Sequence, residues 1–168
     1  MAKQRVAVVT GGMGGLGETI STKMADAGYR VVVTYSPSNT KYRSWLEEMK
    51  SRDYSFAAFP VDVVSYDDCA RACSRIQGEI GPIDILVNNA GITRDMTFKK
   101  MTKVDWDAVI RTNLDSVFNV TKPVTAQISI ADSTGQTVYS SSYTVQAGPQ
   151  EFNWDGVGSD GKKRSDGN

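Results

Sequence analysis

From Met1 to about Val124, short apolar runs alternate with longer stretches in which apolar residues recur every third or fourth position. Arg5-Val6-Ala7-Val8-Val9-Thr10 is an unbroken β-branched run, the pattern of a strand buried on both faces. Gly15 to Ala27 is rich in helix formers and stops at Gly28, and Tyr29 to Tyr35 is a second apolar strand. Lys41 to Arg52 predicts a charged helix with Trp45, Leu46 and Met49 on one face. Phe56 to Val63 follows as strand, Tyr66 to Ile80 as helix, and Ile83 to Asn88 as strand. Thr102-Lys103-Val104-Asp105 has the spacing of a capping box, which opens a helix from Val104 to Lys122. Two-sided apolar strands alternating with helices predict an α/β fold: a parallel, doubly wound, Rossmann-like sheet of about four strands.

Past Pro123 the period changes from helical to two. Val124 to Ile130 and Gln136 to Val145 alternate across an Asp132-Ser133-Thr134-Gly135 turn, and Glu151 to Trp154 predicts a third short strand. Residues 1–124 therefore read as one unit and residues 125–168 as a β-rich fragment. The helix ending at Lys122 is long enough to return to the start of the sheet. On that ground Val124 to Ala131 is expected to dock as a fifth strand beside Ile83 to Asn88, covering an otherwise bare edge.

Composition narrows the chemistry. Nineteen basic residues balance nineteen acidic ones, so no net field steers the chain toward nucleic acid or an anionic membrane. No apolar run reaches membrane-spanning length, and the start is too short for a signal peptide, so a cytoplasmic address is expected. The absence of histidine excludes His-based triads and a His general base. Cys69 and Cys73 stand one helical turn apart. Two ligands do not make a zinc site, and they read as small buried apolar side chains with no metal.

The motif that carries most information is Thr10-Gly11-Gly12-Met13-Gly14-Gly15-Leu16-Gly17, set between a buried strand and a helix. Glycines permit positive φ and let backbone approach a pyrophosphate, while the helix N-terminus offers free N–H groups and partial positive charge. Cofactor choice follows from the end of the second strand. An NAD site places an acid there for the ribose 2′-hydroxyl. Thr34-Tyr35-Ser36 has no carboxylate to repel a 2′-phosphate, and Lys41 and Arg43 follow, so NADP(H) is expected.

Three motifs in the right order, TGxxxGxG, Asp62-Val63 and Asn88-Asn89-Ala90-Gly91, resemble the signature set of short-chain dehydrogenases/reductases over roughly the first three-quarters of the chain. Gly91-Ile92-Thr93-Arg94-Asp95, Phe98-Lys99-Lys100-Met101-Thr102 and Asp105 to Ile110 are similar to the acetoacetyl-CoA reductases of polyhydroxybutyrate synthesis. The 3-oxoacyl-carrier-protein reductases are the second choice. The resemblance implies that Gly11, Gly12, Gly15, Leu16 and Gly17 shape the pyrophosphate site. It implies adenine contacts for Asp62 and Val63, and places Asn89, Ala90 and Gly91 on the nicotinamide-ribose side. Lys41 aligns with the phosphate-binding arginine, and Asn113 with the asparagine that supports the proton relay.

The family's chemistry also needs a Ser and a Tyr-x-x-x-Lys pair. No tyrosine of this chain has a lysine four residues later. The expected function is thus a truncated NADPH-dependent 3-oxoacyl-CoA reductase, cofactor half retained and inactive as given, with only Asn113 left of the catalytic set. From Ile128 to Gly167 the sequence resembles the Ig-like repeat of flagellar hook-assembly (hook-capping) proteins. Both halves read as incomplete, so the alternatives are a hook-assembly-type binding fragment, or an engineered or aberrant chimera without native function. The expected partner is a nicotinamide dinucleotide, with no nucleic acid and no membrane. Exposed sheet edges leave oligomerisation open.

Overall fold

The computed structural model describes residues 4–131 and 137–144, together with Val157. Four strands, β1 (Val6–Val9), β2 (Arg30–Tyr35), β3 (Ala57–Pro60) and β4 (Ile83–Val87), form one sheet in the order β3-β2-β1-β4, every pairing parallel. Helices α1 (Leu16–Asp26), α2 (Tyr42–Ser51), α3 (Tyr66–Glu79), α4 (Lys103–Ile110) and α5 (Ser116–Thr121) complete this unit. The Rossmann-like reading holds.

The strand periodicity sorts side chains into two cores. Val6, Val8 and Val32 join Phe59 and Val61 beneath Cys69, Ala72 and Ile76 of α3 and Val120 of α5. On the opposite face Val9, Val31 and Val33 meet Ile20 and Met24 of α1 and Trp45 of α2. Every residue of β1 is at most 2 % exposed, which is why the run carries no polar alternation. Each valine so buried contributes about 1.5–3 kcal/mol.

Two local devices keep this sheet in register. The pairing of β1 with β4 slips by one residue between Val6 and Ala7, leaving Asp84 as the extra residue. Its carboxylate accepts the Val6 N–H at 2.7 Å, so the slip costs no backbone donor. At the other end β3 stops at Pro60, three residues short of the expected strand's end, where its partner β2 runs out at Tyr35. Proline is tolerated there because β3 is an edge strand.

The predicted capping box is present. Thr102 Oγ1 accepts the Asp105 N–H at 3.1 Å, and the Asp105 carboxylate faces the Thr102 N–H at 3.4 Å. The long helix expected from Val104 to Lys122 is not uniform, however. Residues Arg111–Asp115, between α4 and α5, make a wider π-helical turn. Such turns widen the helix by one residue and turn a side chain away from the regular 3.6 period. Asn113 lies at the centre of this one.

The expected fifth strand does not join the sheet. The strand β5 (Thr125–Ala131) pairs antiparallel with β6 (Thr137–Thr144), from Thr125 opposite Thr144 to Ala131 opposite Thr137. In the described residues β4 pairs with β1 alone. Reach is not the reason: α5 and β5 are separated by Lys122, Pro123 and Val124, and α1 and α3 each return to the sheet over three residues as well. The partner that β5 takes is the period-two segment nearest to it in sequence. The third predicted strand, Glu151 to Trp154, lies outside the described residues, as does most of the Ig-like motif.

Candidate functional site

The site is built where β1 and β4 both end. Thr10, just past β1, is 2 % exposed and acts as the staple. Its Oγ1 accepts the N–H groups of Asn89 (2.9 Å) and Ala90 (3.0 Å) and donates to the Val87 carbonyl at 3.3 Å. The Asn89 amide returns the favour, donating to the Thr10 carbonyl at 2.9 Å and the Gly11 carbonyl at 3.2 Å. The glycine loop and the Asn-Asn-Ala-Gly segment are thus one hydrogen-bonded body. Sequence reasoning assigned no role to Thr10, although it opens the motif; a hydroxyl at the end of a fully buried strand was the available signal.

The glycines of this loop divide into two kinds. A Cβ on Gly12 would stand 2.6 Å from Val33 Cγ1 and 2.9 Å from Ser21 Oγ. One on Gly17 would stand 2.2 Å from the Gly11 carbonyl oxygen and 2.7 Å from the Asn89 amide nitrogen. These two serve packing, pressing α1 onto β2 and the loop. Ser21, buried in α1, reinforces the contact, its hydroxyl lying 2.8 Å from the Gly17 carbonyl and 3.1 Å from that of Gly12. Gly14 and Gly15 are different: a Cβ on either would meet nothing within 4 Å, and Gly15 sits at φ +50° directly before α1. They keep clear the space over a helix N-terminus whose first-turn N–H groups lack intrahelical acceptors. Leu16, the first helical residue, is exposed beside them. Gly11, at φ +63°, lies against Ala90.

A cleft of about 270 Å³ runs from Gly11 along the ends of β2 and β3 to Thr112. Tyr35 and Ser36 line one side, Asp62 and Val63 the second, and Ala90 and Gly91 the third. Asp62 is locked in a turn, its N–H donating to Asp68 at 2.7 Å and its carboxylate accepting the Val64 N–H at 3.2 Å. Asn113, in the π turn and exposed, clasps Ile92 with both ends of its amide: Oδ1 accepts the Ile92 N–H at 2.8 Å and Nδ2 donates to the Ile92 carbonyl at 3.0 Å. It therefore braces the rim of the cleft next to Gly91. Lys41 stands apart from the cleft lining, exposed at the start of α2, with its N–H donated to Asn39 Oδ1 at 2.9 Å. Arg43 folds back on its neighbour, its Nε donating to the Tyr42 hydroxyl at 2.9 Å, and Tyr42 stacks on Tyr35 with ring centroids 4.5 Å apart. The end of β2 carries no carboxylate.

Cys69 and Cys73 are both buried on α3 and point at backbone carbonyls, of Asp62 and Val63 for the first and Val120 for the second. Burial pushes the Cys69 thiol up to about 12, with Cys73 adding to it, and the Cys73 thiol up to about 11. They are packing groups with no nucleophilic character at neutral pH. Among the described residues no cluster of acids, cysteines or histidines could hold a metal ion, and no helix is long and apolar enough to cross a membrane.

A parallel sheet, a glycine loop opening onto a helix N-terminus, and a cleft at the carboxyl ends of the strands define a dinucleotide-binding α/β unit. The chain belongs to the short chain dehydrogenase family, whose model matches residues 5–153. It is 49 % identical over 121 residues to acetoacetyl-CoA reductase of Cupriavidus necator, covering 72 % of this chain and 49 % of that protein. It is 50 % identical to the same enzyme of Allochromatium vinosum, covering 71 % and 49 %. Among solved structures it resembles an actinorhodin polyketide ketoreductase with NADPH, with TM-score 0.67 and 32 % identity, covering 74 % of this chain and 48 % of that one. The chain spans about half the length of the curated relatives it matches.

Proposed function

We propose that residues 1–124 are the NADP(H)-binding half of a reductase acting on 3-oxoacyl-CoA thioesters, with acetoacetyl-CoA as the model substrate. The observation that carries the reading is the glycine loop. It is welded to Asn89 through Thr10, open at Gly14 and Gly15, and faces a cleft whose β2 end has no acid. Near identity of half the aligned residues to two acetoacetyl-CoA reductases supports the substrate class.

In this reading the α1 N-terminus and loop amides hold the pyrophosphate, while Asp62 and Val63 flank the adenine. Ala90 and Gly91 flank the nicotinamide ribose, with Asn113 fixing that rim. Lys41 meets the 2′-phosphate by a side-chain rotation from its exposed position. The bound dinucleotide supplies hydride; the chain's own residues bind, orient and exclude water. A ketone accepting hydride builds charge on its oxygen, and a positioned general acid is typically worth about 10² to 10⁴-fold. The 168 residues hold no Tyr-x-x-x-Lys pair. They are expected to bind the cofactor without turning over substrate by themselves.

For residues 125–168 the antiparallel β5–β6 pair and the motif from Ile128 to Gly167 support an Ig-like, hook-capping type of fragment. Dinucleotide binding that survives deletion of 125–168 supports the boundary near 124; loss of the fold on deletion argues against it.

Titration of NADPH and NADH by nicotinamide fluorescence tests the reading, with tighter NADPH binding expected. Equal affinity, or tighter NADH, would refute the cofactor assignment. Lys41→Ala should weaken NADPH more than NADH. Steady consumption of NADPH with acetoacetyl-CoA, abolished by Gly15→Asp, would refute the expected lack of turnover and send the search for a proton donor to Tyr139 and Tyr143.

A further inference from the structure

Helix α1 begins at the proposed pyrophosphate site, yet its first turn carries a carboxylate, Glu18. A negative charge in the first turn favours the helix by itself. It opposes a second anion arriving at the same N-terminus, because both draw on the same partial positive charge. The structure shows what becomes of this carboxylate. Its Oε2 accepts the Trp45 indole N–H at 2.8 Å, and its Oε1 pairs with Arg52 at 2.9 Å. Both partners come from α2 and its end. Trp45 itself is fixed by stacking on Phe56 at 5.5 Å and by packing into the α1-side core. Glu48 lies 4.0 Å from Arg52, a far weaker competitor than Glu18.

The structure assigns Trp45 and Arg52 as positioning residues for dinucleotide binding: they draw the Glu18 carboxylate sideways and neutralise it, leaving the α1 N-terminus free for the pyrophosphate. The inference rests on the cofactor site proposed above. Two hydrogen bonds from a neutral indole and a cation spend the carboxylate's charge locally, and the same contacts hold its pKa below the usual carboxylate value, so it stays ionised and captured. Trp45 contributes direction without charge; Arg52 contributes charge.

The test is a double-mutant cycle read as NADPH dissociation constants of the full chain at low and high ionic strength. Trp45→Phe keeps a ring but removes the N–H, and Arg52→Gln removes the cation. Each is expected to weaken NADPH about two- to fivefold at low salt, the size of a charge effect within one helical turn, and less at high salt. In a Glu18→Gln background the Trp45→Phe loss should vanish, and Glu18→Gln alone should bind as tightly as the parent or tighter. A Trp45→Phe loss that persists in the Glu18→Gln background, or that ignores ionic strength, would show a purely structural tie between α1 and α2 and overturn the inference. Thermal unfolding of each variant separates a folding defect, since destabilisation without change in affinity also overturns it. A parent chain that binds no dinucleotide overturns the site itself, which is a different result from normal binding with an additive cycle.

Discussion

Substituting Gly17 by alanine should destabilise the whole chain rather than merely empty its site. A Cβ there would lie 2.2 Å from the Gly11 carbonyl oxygen and 2.7 Å from the Asn89 amide nitrogen. The oxygen belongs to backbone whose neighbour Thr10 is stapled to β4, so it cannot move alone. Relief requires α1 to lift from the loop, at the roughly 1–3 kcal/mol typical of overpacking. Displacing Asn89 also weakens its bonds to the Thr10 and Gly11 carbonyls, each worth about 0.5–1.5 kcal/mol. The combined loss is up to about 2–6 kcal/mol, a large share of the about 5–15 kcal/mol that holds a typical domain together. Urea unfolding followed by tryptophan fluorescence should show the midpoint falling by roughly 1–3 M, taking a slope of about 2 kcal/mol/M. Gly14→Ala is the internal contrast. A Cβ there meets nothing within 4 Å, so stability should stay within about 0.5 kcal/mol of the parent while NADPH binding weakens. A Gly17→Ala chain as stable as the parent would refute the assignment of Gly17 to packing. A Gly14→Ala chain that binds NADPH normally would refute the assignment of that face to the pyrophosphate.

Three further outcomes follow from the same geometry. Cys69 and Cys73, with thiols pushed up to about 12 and about 11, should resist a thiol-specific disulfide reagent at pH 8 in the native state and react fully in denaturant; rapid native reaction would show that α3 does not bury them. Glu18 is held below the usual carboxylate value by Trp45 and then Arg52, so the folded chain binds fewer protons there than the unfolded one. Its contribution is present above the unfolded carboxylate pKa and is lost as pH falls through the folded one; acid unfolding curves should be shallower in Glu18→Gln, and identical curves would count against the clasp. Asn113→Ala removes both bonds to Ile92, so the Ile92 amide should lose protection from hydrogen exchange while global stability drops by no more than about 1 kcal/mol; unchanged protection would mean another group holds the rim.

The chain's hydrophobic pattern settled the α/β class and the existence of every helix and strand of the parallel sheet, because a strand buried on both faces cannot hide its β-branched run. It also placed the glycine loop, since only glycine satisfies positive φ beside a helix start, and the capping box, whose atoms lie within four residues. What it could not settle involves partners far along the chain. The split of the loop glycines into packing and open positions depends on Val33, Ser21 and Asn89, which are distant in sequence and meet only when the sheet assembles. The role of Thr10 depends on β4, some eighty residues away. The clasp of Asn113 on Ile92 gives no local signal, because the two residues lie 21 positions apart. The pairing of β5 with β6 instead of β4 shows the same boundary from the other side. Periodicity says that a segment wants to be a strand, but not which edge it joins, because the backbone groups of every edge offer the same hydrogen bonds; here the partner nearest in sequence won.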